Sequence, residues 1–392
     1  MLLRKGAAAK APEFPPAWLW FVDEAIPQWV KKAYSPRESW KDKPFSKEDA
    51  HFFFKGVEEL SELFTEERSR GIPQYFNHPK FRSSYLLYFL PLQTAKFLTV
   101  FQFHSGAIDA ALDHGRKQGV LRIADLGAGP GTASIAFLLN LLERGETDIP
   151  PIELLWFDTN RSILEDGKAL TETLASHFPK LRGKVTLRWT TATWWDAART
   201  LEDEISLVIL GHVLNESSGP KLNANELQWQ KTWQALVKKA HGGGLLIVEP
   251  AAKRPSQFIS ELRDRLIESG LYEANPALIW GPCPHAERCP LADGRDWCHF
   301  SVPAEVPGKW FREFSRGLGS ERDWLKFSYV WFATPGYPGP RPDPKDKLII
   351  SDPLRRGQEG EADVLICEPE TPGRTRLPKS ARLFRGDVIR SR

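Results

Sequence analysis

Five short apolar runs, "LRIADL", "IELLWFD", "KVTLRWT", "ISLVILG" and "GGLLIVEP", follow one another between residues 121 and 250, separated by stretches of crossover length. Parallel neighbours need such long connections, because each link must travel back across a face of the sheet. Runs this uniformly apolar suit strands covered from both sides. The order therefore predicts an α/β fold, a mostly parallel sheet with helices on both faces.

The flanks read differently. Upstream, "SKEDAHFFFKGVEELSELFTEERSRG" has a capping-box pattern at Ser46 and Asp49, apolar residues at Phe53, Val57, Leu60 and Phe64, and a stop at Gly71. This predicts a helical N-terminal region over 1–115, ahead of a nucleoside-binding sheet domain over 116–275. Downstream, "KFSYVWFATPG" reads as a returning strand that closes a cysteine-rich segment, 276–334. A proline-rich linker, "PGYPGPRPDP", then leads into "KLII", "ADVLICE" and "RTRLPKS", short strands of a small β-rich module over 335–392. No internal repeat is visible.

Composition removes several classes of function. The longest apolar stretch is broken by Pro91, Gln93 and Lys96, so a bilayer span is not expected. Four cysteines in 392 residues do not make a disulfide scaffold and point to a reducing compartment. The N-terminus lacks the apolar core of a secretory signal. Net charge is only +3, yet from Arg374 onward seven basic residues face the single acid Asp387. Such an end suits a polyanion, with Arg374, Arg376, Lys379, Arg382 and Arg385 as candidate phosphate contacts. A solvated tail is the competing reading.

The first run leads into "ADLGAGPGTASIAFLL", which places Asp125, Gly127, Gly129 and Gly131 at a strand-to-helix turn. Glycines there let backbone pass close to a ligand, and the next helix offers its first N–H groups. Thr132 stands where a dinucleotide fingerprint would have its third glycine, which favours the S-adenosylmethionine turn over NAD. Asp158 closes the second run, where an acid can accept from both ribose hydroxyls; a helix N-cap is its competing role. Asp196 is a candidate for the adenine edge or a plain loop acid, and Trp194 and Trp195 are either core or stacking walls. His212, Asn215 and Glu216 follow the fourth run without a recognisable amine-binding motif, so no catalytic base is assigned.

Cys283, Cys289 and Cys298 have five and eight residues between them, and Cys367 lies far downstream. Four thiolates can complete a zinc site or an iron-sulfur cluster. Zinc knuckles usually hold pairs two to four residues apart, so these wider gaps favour the cluster, with zinc as the alternative. Pro284 and Pro290 stiffen the loop after its first two cysteines. If Cys367 joins, the centre staples the C-terminal strands to the sheet domain. His285 and His299 are second candidates beside it, as ligands or as shields.

Taken in order, "DLGAGPGTA", "GHVLNE", "LLIVEP", "CPHAERCPL", "DWCHF" and "KFSYVW" resemble the mitochondrial small-ribosomal-subunit assembly methyltransferase-like family, which has bacterial homologues. The resemblance covers about residues 85 to 370 and is most specific in the cysteine block. It implies a Rossmann-like class I methyltransferase sheet, S-adenosylmethionine as cofactor, and a four-iron four-sulfur cluster on Cys283, Cys289, Cys298 and Cys367. It further implies the small ribosomal subunit and its ribosomal RNA as partners, with methyl transfer or assembly as the task. Neither membrane nor DNA is an expected partner. The expected compartment is the bacterial cytoplasm, with the mitochondrial matrix as alternative. The tail after Lys379 and "SVPAEVPGKWF" depart from the family pattern. A zinc-stapled methyltransferase of a small molecule or protein is the rival reading.

Overall fold

A computed structural model describes residues 12–66, 74–202, 204–215, 226–269, 279–319, 323–334, 339, 346–354, 361–378 and 383–389. Gly71, Glu216, Lys379, Arg382 and nearly all of the proline-rich segment lie outside the described residues.

Helices dominate the first part: α1 (Pro16–Trp20), α2 (Ile26–Tyr34), α3 (Glu38–Lys41), α4 (Lys47–Glu66), α5 (Pro79–Ser84), α6 (Leu90–Phe103) and α7 (Ser105–Gln118). The expected capping box starts α4. The Ser46 N–H donates to Asp49 Oδ2 at 2.8 Å, and the Asp49 N–H returns to Ser46 Oγ at 3.3 Å. Asp49 also receives Lys31 of α2 at 2.6 Å, an ion pair whose members are 1% and 3% exposed. One carboxylate thereby fixes both the start of α4 and its angle to α2.

The five apolar runs form β1 (Leu121–Leu126), β2 (Ile152–Asp158), β3 (Val185–Thr191), β4 (Ile205–Gly211) and β5 (Ala240–Pro250), all parallel. Between them run α8 (Thr132–Glu143), α9 (Arg161–His177), α10 (Trp194–Thr200) and α11 (Glu226–Lys239), followed by α12 (Lys253–Glu268). The chain then adds β6 (Ile279–Gly281), β7 (Phe300–Pro303), α13 (Lys309–Gly317) and β8 (Trp324–Phe332). Strand order is β3-β2-β1-β4-β5-β8-β6, with β7 also on β8. β8 runs antiparallel between β5 and β6. A doubly wound parallel sheet with an antiparallel strand inserted after β5 is the class I methyltransferase arrangement, as expected from the sequence. α6, α7 and α8 pack on one face, while α10, α11 and α12 cover the other around Trp194, Trp233 and Leu262.

The small C-terminal strands are β9 (Lys347–Leu348), β10 (Glu361–Ile366), β11 (Gly373–Pro378) and β12 (Val388–Ile389). They form the antiparallel pairs β10–β11 and β12–β9 around Ile349, Val364, Ile366, Leu377 and Ile389. Among the described residues no helix is long and apolar enough to cross a membrane.

β1 has β2 on one side and β4 on the other, so strand order reverses there. In open parallel sheets that reversal leaves a crevice at the carboxyl ends of the strands.

Candidate nucleoside site and cysteine cluster

The glycine turn occupies that crevice. Gly127, Gly129 and Gly131 have φ of +76°, +54° and +75°, in the left-handed region. A Cβ on Gly131 would stand 2.0 Å from the Trp156 indole, whereas one on Gly129 would meet only Phe76 at 3.9 Å. Gly131 is therefore required by packing beneath the turn, and Gly129 leaves its pocket side open. Beneath the turn, Asp125 accepts from the Ser134 N–H at 3.2 Å and hydroxyl at 2.9 Å, and Ser134 accepts from the Trp156 indole at 2.9 Å. Burial pushes the Asp125 carboxyl up to about 7 against those bonds.

Asp158, at the end of β2, accepts the Gly129 N–H at 2.9 Å through Oδ2 and the Asn160 N–H at 2.9 Å through Oδ1. Its carboxyl is raised by burial, with these donors opposing. Asn160, not Asp158, caps α9, through a bond from the Ile163 N–H at 3.1 Å. That leaves Asp158 turned to the glycine loop.

Asp125, Gly127, Gly129 and Asp158 line one partly open cavity of about 60 Å³, together with Gly211 and His212 from the end of β4. Its far wall comes from the N-terminal helical region: Tyr75, Phe76, Tyr85 and Phe97. The sequence reading missed these aromatics. "QYF" carried the only signal, and it looks like any core aromatic pair. Gly131 lies behind the lining. Asp196 lies outside it, in the first turn of α10, where it bonds Thr193 Oγ1 at 2.8 Å and Arg199 at 3.1 Å. Trp194 is a core residue, with its ring 5.4 Å from that of Trp233. His212 holds φ +57°, a strained value for a residue with a Cβ, while its N–H donates to the Val248 carbonyl at 2.8 Å. Gly131→Ala is expected to cost about 1 to 2 kcal/mol for the backbone conformation alone, plus the clash with Trp156, and to weaken nucleoside binding. Urea unfolding and calorimetry check both, and an unchanged midpoint would contradict it.

All four cysteines are free thiols and only partly exposed. Cys283 and Cys289 sit in the loop after β6, Cys298 two residues before β7, and Cys367 directly after β10. Each lies within electrostatic reach of others. Burial pushes the Cys298 thiol well up, and Cys289, Cys283 and Cys367 add to it. Cys367 is likewise raised by burial, then by Cys283 and Cys289. Among the described residues no three His, Cys, Asp or Glu side chains form a ready-made group for a metal ion. The thiols are thus neighbours rather than a closed tetrahedral set. His285 Nε2 comes within 3.3 Å of Cys367 Sγ. The Cys289 N–H donates to Asp264 at 2.9 Å, and the Cys298 carbonyl accepts from Ser328 at 2.7 Å.

Among the described residues, the basic C-terminus departs from expectation at Arg385. Arg385 is 6% exposed, and it donates to the Trp297 carbonyl at 3.0 Å and to Asp296 at 3.3 Å. It is no surface phosphate contact, because the turn before β12 folds it against the cysteine block. Arg374 and Arg376 are exposed but pair with Asp363 at 3.2 and 3.1 Å.

The family model described as mitochondrial small ribosomal subunit Rsm22 matches residues 107–335. None of the curated proteins matches the chain. Among solved structures, PKMT2 from Rickettsia typhi, in complex with AdoHcy, is 18% identical over 39% of this chain and 25% of its own, with a TM-score of 0.22. This chain therefore spans about a quarter of that protein. A Listeria monocytogenes protein described as a class I S-adenosylmethionine-dependent methyltransferase is 11% identical over 76% of this chain and 91% of its own, with a TM-score of 0.30. Human N-acetylserotonin methyltransferase, in complex with SAM, is 14% identical over 79% and 72%, with a TM-score of 0.26.

Proposed function

Since the chain belongs to the mitochondrial small ribosomal subunit Rsm22 family, we propose that it binds S-adenosylmethionine at the glycine turn and acts on the small ribosomal subunit. Its task there is ribosomal RNA methylation, or assembly with the same fold used to hold RNA. The observation that carries the reading is the convergence of the Gly129 backbone and the Asp158 carboxylate on one cavity walled by Tyr75, Phe76 and Tyr85.

Asp158 accepts from the ribose hydroxyls, the glycine turn admits the nucleoside close to backbone, and the aromatic wall excludes water. When bound, the sulfonium supplies an activated methyl group. The chain's own contribution to transfer is positioning, because alignment of reactants is worth much of a barrier of this kind. His212 stands at the cavity's edge nearest β4 and orients what enters there.

The four cysteines fit an iron-sulfur centre by donor chemistry: four neighbouring, partly buried thiols with two buried guanidiniums beside them. Cys283, Cys289, Cys298 and Cys367 would hold it. Such a centre supplies a cross-link between the cysteine loop and the end of β10.

Tritiated S-adenosylmethionine with isolated small subunits tests the activity. Label entering RNA supports the enzyme, and cofactor binding without transfer leaves the assembly factor. Asp158→Ala is expected to weaken cofactor binding about 10- to 100-fold, since it removes charge-assisted hydrogen bonds. Unchanged affinity in calorimetry would remove this site from the account.

A further inference from the structure

Arg263 and Arg385 approach the cysteines from two distant parts of the chain, α12 and the turn before β12. Arg263 is 2% exposed, and its guanidinium donates to the carbonyls of His285 and Glu287, in the loop between Cys283 and Cys289. It also pairs with Asp264, which takes the Cys289 N–H. Arg385 grips the carbonyl of Trp297, the residue before Cys298, at 3.0 Å. In both guanidiniums the Nε–H is buried and has no hydrogen-bond partner among the described residues. A buried donor left so costs free energy, and more when it carries charge.

Two carboxylates do not settle the account. Asp264 spends itself on the Cys289 N–H as well as on Arg263, and Asp296, at 39% side-chain exposure, is half in water. The remaining groups within electrostatic reach are the cysteine sulfurs, Cys283, Cys289 and Cys367 beside Arg263 and Cys298 beside Arg385, which would be anionic as ligands of the proposed centre.

We propose that Arg263 and Arg385 are the counter-cations of the four-cysteine centre, holding its loops through backbone carbonyls and balancing the negative charge of the thiolate-ligated cluster. This rests on the cluster reading given above. Both are positioning residues, since they act through the ligand loops. Arginine suits the role because its planar fork makes several bonds at once and it is always charged. Net charge near a cluster sets its reduction potential and retention.

The test uses the full chain purified without oxygen: wild type, Arg263→Met, Arg385→Met, and the Lys variant at each position. Iron, acid-labile sulfide, loss of visible absorbance in an iron chelator, and midpoint potential are measured. The Met variants are expected to lose absorbance about tenfold faster, by the scale of outer-shell effects on metal affinity. They are also expected to shift the potential downward by at least 59 mV, the tenfold change of a one-electron equilibrium. The Lys variants keep the potential within that limit while shedding the cluster faster. A role in packing alone would alter retention and leave the potential in place. Met variants that match the wild-type potential overturn the proposal. If the Met variants do not fold, the Lys variants decide, and a shift of 59 mV or more in them overturns it. A wild type lacking iron and sulfide overturns the cluster reading itself, and this inference with it.

Discussion

Asp49→Ala is expected to destabilise the chain by about 3 to 5 kcal/mol, the usual cost of stranding one member of a buried ion pair. Lys31 is 3% exposed and, among the described residues, bonds only Asp49 at 2.6 Å and the Pro44 carbonyl at 2.9 Å. Removing the carboxylate leaves its ammonium out of water with a single dipole. The same change deletes the Ser46–Asp49 capping box, a loss of about 1 kcal/mol by itself. The urea midpoint should fall accordingly. The double variant Lys31→Met with Asp49→Leu should recover most of the loss, because an apolar replacement of a buried pair is often neutral. The effect should also reach the cavity. The last turn of α4 carries Phe64, whose ring lies 5.1 Å from that of Tyr75 and 4.9 Å from that of Phe89, so a loosened α4 withdraws support from the aromatic wall. A single variant within about 1 kcal/mol of wild type would show that the pair is not buried in solution.

The features that could be read from the chain are those in which residue type alone is decisive. The central strands β1, β4 and β5 had to be apolar on both sides, while the edge strand β3 alternates, and only glycine tolerates φ +75° at residue 131 with an indole against it. Asp158 was legible as a cavity acid because it ends the second strand. Other parts depend on distances that sequence does not encode. β6, β7, β9 and β12 have two to four residues, too few to show a period. The returning strand was visible in "KFSYVWF", but its insertion between β5 and β6 is set by tertiary packing. Phe76 and Tyr85 have the composition of core residues, and only the approach of the N-terminal helices to the glycine turn makes them a wall. Asp196 has the residue type for a nucleoside contact, but Thr193 claims it at the start of α10. Arg385 reads as one charge in a basic tail, since burial beside Cys298 requires residues nearly ninety positions apart to meet.

Cys367→Ala is expected, on the iron-sulfur reading proposed above, to empty the centre, with metal retention falling roughly 100-fold or more, beyond the 10- to 100-fold typical of losing a residue outside the ligand set. The strand that carries it should survive. β10 pairs with β11 along its length, the Cys367 N–H is held by the Leu348 carbonyl at 2.8 Å, and the module keeps its own small core. On that reading the variant removes the tie that the proposed centre makes between the end of β10 and the loop of Cys283, Cys289 and Cys298, so amides of β10 and β11 should exchange faster while those of β1 and β4 do not. Extracting iron from the wild type should reproduce that pattern, because both treatments cut the same link. S-adenosylmethionine affinity should stay near that of wild type, since none of the four cysteines lines its cavity. Unchanged exchange in β10 after iron is removed would mean that ordinary packing, not the centre, holds the C-terminal strands in place.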